Sequence, residues 1–142
     1  MSVPTRPPTA DELRTDPLVQ RALEQAWVDS LPDDALRRHE EGGWIYMDLN
    51  TAELTIRRAP PGQTAQIEIA DPLLLPGFII VATFHTHPNP AADGWIAGPS
   101  ASDESVHVQL GVPGLIRADN GVYVTGPPSR RGGLAGGPGF SP

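Results

Sequence analysis

The 142-residue sequence contains no cysteine, so neither a disulfide framework nor a thiolate nucleophile or metal ligand is open to it. Any metal must be held by histidine, carboxylate and water. Positive charge is also short: 10 Lys+Arg stand against 17 Asp+Glu. The formal net charge of −7 argues against non-specific nucleic-acid binding, which needs a basic face. Long apolar runs are missing, and the longest, around Gly77 to Phe84, falls far short of a membrane span. The opening MSVPTRPPTADEL lacks the basic and apolar regions of a signal peptide, so the expectation is a soluble cytoplasmic protein. Histidine is scarce too, yet two of the 4 in the chain sit together, at 85 and 87.

Proline and glycine are plentiful, 17 and 15 residues, and they crowd toward the two ends. The length suits one domain with a real core. The reading is a disordered lead-in over residues 1–8, a single domain over 9–126 and a flexible Gly/Pro-rich tail over 127–142. Helical spacing of Leu13, Leu18, Val19, Ala22, Leu23, Ala26 and Trp27 predicts a helix from about Thr9, divided at Pro17 and stopped by Ser30-Leu31-Pro32. A short helical turn can follow from Asp33 to His39. GGWIYMDL and AELTIRRA read as a hairpin, and AQIEIA as a third short strand. GFIIVATFHTH, apolar on both faces, reads as a buried central strand. After a loop over 88–99, a helix starts at Ser102 or Asp103 and runs to about Leu110. LIRADNGVYVTG is then two strands about an Asp119-Asn120-Gly121 turn.

Residues two apart in a strand share a face, so His85 and His87 project side by side at the strand's end, which Pro88 fixes. Two such imidazoles can grip one metal ion, or can be ordinary polar residues where a strand meets solvent. A catalytic zinc wants a third protein ligand and an open water position. Asp103, at a predicted helix start, is the natural candidate. Trp44 and Tyr46 read as core aromatics, His39 as a surface residue, and Ser102 as a helix cap. His107, four beyond Asp103 on one helical face, reads as a surface histidine, with a supporting place in the site or a fourth metal ligand as the alternatives.

Taken together, His85-Thr86-His87-Pro88, the later Ser100-Ala101-Ser102-Asp103 and the upstream Glu40-Glu41-Gly42-Gly43 resemble the H-[ST]-H-P, S-x-x-D and E-x-x-G signature of the JAB/MPN (JAMM) metalloproteases. The likeness is nearest to small bacterial members and spans about Leu36 to Gly126. The spacer of eleven residues, Asn89 to Pro99, is longer than in the compact motif and suggests a loop shaping the substrate entrance. The resemblance implies a three-layer α/β fold, cytidine-deaminase-like in architecture, with a mixed and largely antiparallel sheet flanked by helices. It implies zinc held by His85, His87 and Asp103 with water as fourth ligand, Glu40 as general base and acid, and Ser100 as donor to the oxyanion. Spacing favours Glu40 over its neighbour Glu41 as the base.

The activity implied is cleavage of isopeptide or peptide bonds, often after the Gly-Gly end of a ubiquitin-like modifier; the expected partner is such a modifier or another protein or peptide. Two alternatives stay beside it: a non-catalytic MPN scaffold, and a peptidase of the same chemistry acting on cell-wall peptides or toxins. A deaminase is disfavoured, since its P-C-x-x-C ligands are absent. Arg130-Arg131-Gly132-Gly133 resembles a modifier's end and raises the idea of a substrate mimic, against the plainer reading of a solubilising tail.

Overall fold

The computed structural model describes residues 4–134 of the chain. Helix α1 (Ala10–Thr15) opens with a capping box in which Thr9 and Glu12 each satisfy the other's backbone N–H. Asp16 then caps α2 (Pro17–Asp29), accepting from the N–H groups of Leu18 and Val19, with Pro17 in the first turn where no donor is lost. The strands are β1 (Gly42–Asp48), β2 (Leu54–Arg58), β3 (Phe78–His87), β4 (Gly114–Ala118) and β5 (Gly121–Thr125), with α3 (Ala101–Leu110) between β3 and β4. They form one mixed sheet in the order β2-β1-β3-β4-β5. Every neighbouring pair is antiparallel except β3 with β4. That parallel pair needs a crossover, and α3 is its helix.

Both sheet faces are covered. Leu13, Val19, Leu23 and Ala26 of the first two helices pack on Ile45, Met47, Ile79 and Phe84. On the other face Trp44, Tyr46 and Ile80 pack with Leu110, Val112 and Ile69. Each fully buried aliphatic side chain contributes about 1.5–3 kcal/mol. The protein is therefore α/β, with a mixed sheet flanked by helices. No helix among the described residues is long and apolar enough to cross a membrane.

One irregularity in β3 decides which way its end faces. Ile45 pairs with Ala82 but Tyr46 pairs with Ile80, which leaves Val81 as an extra residue opposite no partner. Ile79 and Val81 lie under α1 and α2, and so do Ala82 and Phe84 beyond the bulge. Ile80 faces the opposite side. The bulge thus moves Thr83, His85 and His87 onto the face covered by α3.

Three expectations change. AQIEIA is not a strand: the carbonyls of Ile69 and, further on, Leu73 accept from Trp44 Nε1 (3.0 Å) and Tyr46 Oη (2.7 Å), so this prolyl segment lies across the sheet face and not along its edge. Residues 127–134 pack on the domain: the Ala10 N–H donates to Pro128 (2.7 Å), Arg130 is buried and donates to the Ile80 carbonyl (3.0 Å), and the Arg131 N–H donates to Gly111 (2.7 Å). None of these residues lies in the cleft described below, and 135–142 fall outside the described residues. In the lead-in, Arg6 pairs with Glu12 at 2.6 Å and Pro7 is buried, while residues 1–3 fall outside the described part.

The bulge is open to test. Deleting Val81 joins Ile80 to Ala82 in strict alternation, which keeps Ile79, Ala82 and Phe84 under α1 and α2 and Thr83, His85 and His87 on the other face. The deletion is expected to keep cooperative thermal unfolding, followed by circular dichroism, and loss of that cooperativity would contradict this assignment of the extra residue. Val81→Ala keeps the residue count and is expected to cost only about 2 kcal/mol.

Candidate metal centre

The parity set by the bulge extends to β1. Gly42 pairs with His85, so Glu40, two residues earlier, falls on the imidazole side while Glu41 falls on the side of α2. Gly42 is required here: a Cβ would stand 2.8 Å from His85 Cβ and collide with the Phe84 carbonyl. Glu40 is 6% exposed, and its carboxylate comes within 4.8 Å of ligand atoms of both His85 and His87.

Asp103 arrives from the start of α3. The helix begins earlier than the sequence suggests, because Ser100 and not Ser102 is its cap. The Asp103 N–H donates to Ser100 Oγ (3.1 Å), and the Ser100 N–H donates to Asp103 Oδ2 (2.8 Å). This reciprocal capping box leaves Asp103 one oxygen, Oδ1, at 3.2 Å from His85 Nε2 and the other, Oδ2, at 3.2 Å from His87 Nε2. The two Nε2 atoms are themselves 3.2 Å apart.

Those spacings fit a metal. Ligand atoms about 2.0–2.1 Å from a tetrahedral centre lie about 3.3 Å from one another. His87 Nδ1 donates to the Ala97 carbonyl at 3.2 Å; a carbonyl only accepts, so the Nε2 lone pair is left for an ion. His85 is 1% exposed, and its Nδ1 is buried with no hydrogen-bond partner among the described residues. Glu40, His85 and His87 can hold a metal ion, and Asp103 lies within reach of the same point.

The electrostatics suit the same reading. Burial pushes Glu40 up to about 7; the charge of His87 pulls it down and that of Asp103 pushes it up. Burial lowers His85 despite its bond with Asp103. For His87 burial is outweighed by Asp103 and Glu40, and its pKa is raised. Burial also works against the Asp103 carboxylate, but the bonds with both imidazoles outweigh it and hold it well below the usual range. A bound cation would replace the protons that now neutralise this cluster.

Beside it opens a cleft of about 230 Å³, lined by Glu40, His87, Ser100 and Asp103 together with Ile67, Ile69, Trp95, Ile96 and Val106. Trp95 and Ile96, in the long loop, are 45% and 67% exposed.

Compared with known protein families, curated proteins and solved structures, the chain matches none. The site stands on its own geometry.

Glu41 has a different task. Arg58 Nη2 donates to it at 2.6 Å and His39 Nε2 at 2.5 Å. Thr86, between the two histidines but on the opposite face, takes the Glu41 N–H on its hydroxyl (3.1 Å) and donates its own N–H to the Glu41 carbonyl (2.9 Å). Its hydroxyl proton goes to Ser30 Oγ at 2.5 Å, since Ser30 donates to Ala26. Thr86 therefore fixes the backbone beside Glu40. The motif marked its position, and only the fold reveals its partner. His107, read as a surface residue, is buried.

His39 bonds two groups that only accept, the Arg37 carbonyl and the Glu41 carboxylate, so both ring nitrogens carry protons. Burial lowers its pKa, but these bonds outweigh it and the net shift is upward. The stabilisation is therefore full below the unfolded pKa of about 6.5 and fades as pH rises through the folded value. His39→Gln is expected to lower the melting temperature more at about pH 5.5 than at about pH 9; a penalty equal at both would contradict the charged pair.

Proposed function

We propose that the chain is a zinc-dependent peptidase or isopeptidase of JAMM type on a JAB/MPN-like fold. It would cut the amide bond that follows a Gly-Gly-like tail of a ubiquitin-like or other small protein. The observation that carries this reading is the meeting of Glu40, just ahead of β1, with His85 and His87 of β3 and with Ser100 and Asp103 at the start of α3, beside one cleft. His85, His87 and Asp103 would hold the zinc. Bound there, zinc acidifies a water ligand from about 15.7 to about 7 and polarises the substrate carbonyl.

The side chains supply the rest. Glu40, buried and with its pKa near neutrality, is suited to take a proton from the attacking water and return it to the leaving amine. Ser100 Oγ accepts from the Asp103 N–H, so its own proton remains available to donate into the cleft, where the carbonyl oxygen gains charge. One such donor contributes about 3 kcal/mol to the transition state. Glycine at the scissile end suits the site, because only residues without side chains let an extended backbone lie close against it.

Purified chain is expected to carry about one zinc, measured by plasma emission, and to release a reporter fused behind a Gly-Gly tail. His85→Ala should lose the metal. Glu40→Gln should keep it while the rate falls by about 10²–10⁴. Metal-loaded protein that cleaves no peptide or isopeptide would speak for the scaffold alternative, and a chain without metal would end the reading.

A further inference from the structure

His107 lies one helical turn beyond Asp103, and the proposed chemistry does not use it. Its side chain is completely buried. Nδ1 is 2.6 Å from the backbone carbonyl of Asp103, and Nε2 meets the hydroxyl of Thr83 on β3. The carbonyl only accepts, so Nδ1 donates and Nε2 accepts from Thr83, which fixes the tautomer. Nε2 is spent on Thr83, so His107 is not a further metal ligand.

The surroundings are built around this ring. A Cβ on Gly114 would collide with it, and one on Gly126 would come 2.7 Å from His107 Cβ. Gly126 also holds a φ of +79° that disfavours other residues. Meanwhile α3 has little apolar anchorage, since His107 and Leu110 are its only buried residues. A leucine at 107 would dock the helix by apolar contact but would leave the buried Thr83 hydroxyl without its imidazole partner. What an imidazole adds is a fixed bond at each end, one to the helix and one to the strand.

We propose that His107 is the positioning residue of the metal centre, tying the first turn of α3 to β3 so that Asp103 stands opposite His85 and His87. Thr83 and His85 share one face of β3 two residues apart, and Asp103 and His107 share one face of α3. The two His107 bonds close this circuit and set the height and rotation of the helix against the strand. The inference rests on the metal reading of the site.

The test is titration of the full chain with Co²⁺ and Zn²⁺, following affinity, the visible Co²⁺ spectrum and the melting temperature. Thr83→Val removes the hydroxyl with little change of shape. It is expected to stay folded, bind metal about 10–100-fold more weakly and alter the Co²⁺ spectrum. His107→Gln, whose amide reaches the place of Nε2, is expected to recover part of the affinity lost in His107→Ala. If His107→Ala does not fold, Thr83→Val and His107→Gln still decide. Wild-type affinity and spectrum in the variants, with or without a lower melting temperature, would overturn the positioning role and leave the metal site standing. A wild-type chain that binds neither ion would overturn both.

Discussion

With strict alternation along β3, Ile79, Val81, Thr83, His85 and His87 would all share the face that α1 and α2 cover. Two imidazoles would then be turned toward the helices, away from Glu40 and Asp103. The extra residue at Val81 removes that conflict. The strand keeps its apolar residues under the first two helices as far as Phe84, yet delivers its polar end to the other face. The ladder with β1 resumes at Ile45 and Ala82 and runs to Gly42 and His85. The histidines are therefore held by regular sheet pairing and not by a loop, which suits side chains that could hold a metal ion.

From that placement the other elements have definite tasks. Glu40 sits just ahead of β1, where its backbone is paired on both sides: its N–H donates to Gln63 and its carbonyl accepts from Gly62, each at 2.8 Å. The next residue is held by Thr86. A buried carboxylate close to Asp103 is electrostatically unwelcome, and a backbone this well tied keeps it there. Asp103 is fixed through the capping box with Ser100. Ser100, whose hydroxyl starts the helix, also lines the cleft, so one local structure serves both folding and the candidate site.

The candidate cluster was legible in the sequence because residues able to carry chemistry are few and distinctive. Two of the 4 histidines fall two apart at a strand end, and Ser100 with Asp103 lies within one helical turn. The main elements followed from periodicity, capping residues and Pro17. What stayed hidden depended on pairing across the fold. A bulge has no sequence mark when every residue around it is apolar, as Ile79, Ile80, Val81 and Ala82 are. AQIEIA alternates like a strand, but the indole and phenol of Trp44 and Tyr46 hold that region across the sheet. His107 looks like any polar helical residue until Thr83, Gly114 and Gly126 close about it. The packing of residues 127–134 likewise depends on partners far away in sequence, where composition alone suggests a free tail.

The adjacent carboxylates Glu40 and Glu41 show how far the fold divides like residues. Both are buried to the same degree. Alternation sends one toward the imidazoles and the other toward Arg58 and His39. Glu41 has a guanidinium and a charged imidazole bonded to its two oxygens, so its charge is compensated and its task is to hold the entry to β1. Glu40 has no such donor among the described residues: burial dominates, and its affinity for a proton rises toward neutrality. A carboxylate in that state can both take and release a proton near neutral pH. Glu41 has both its oxygens committed to Arg58 and His39, so the difference between the two comes from the parity of the strand and not from their chemistry. That parity is the one to which His85 and His87 answer across the ladder.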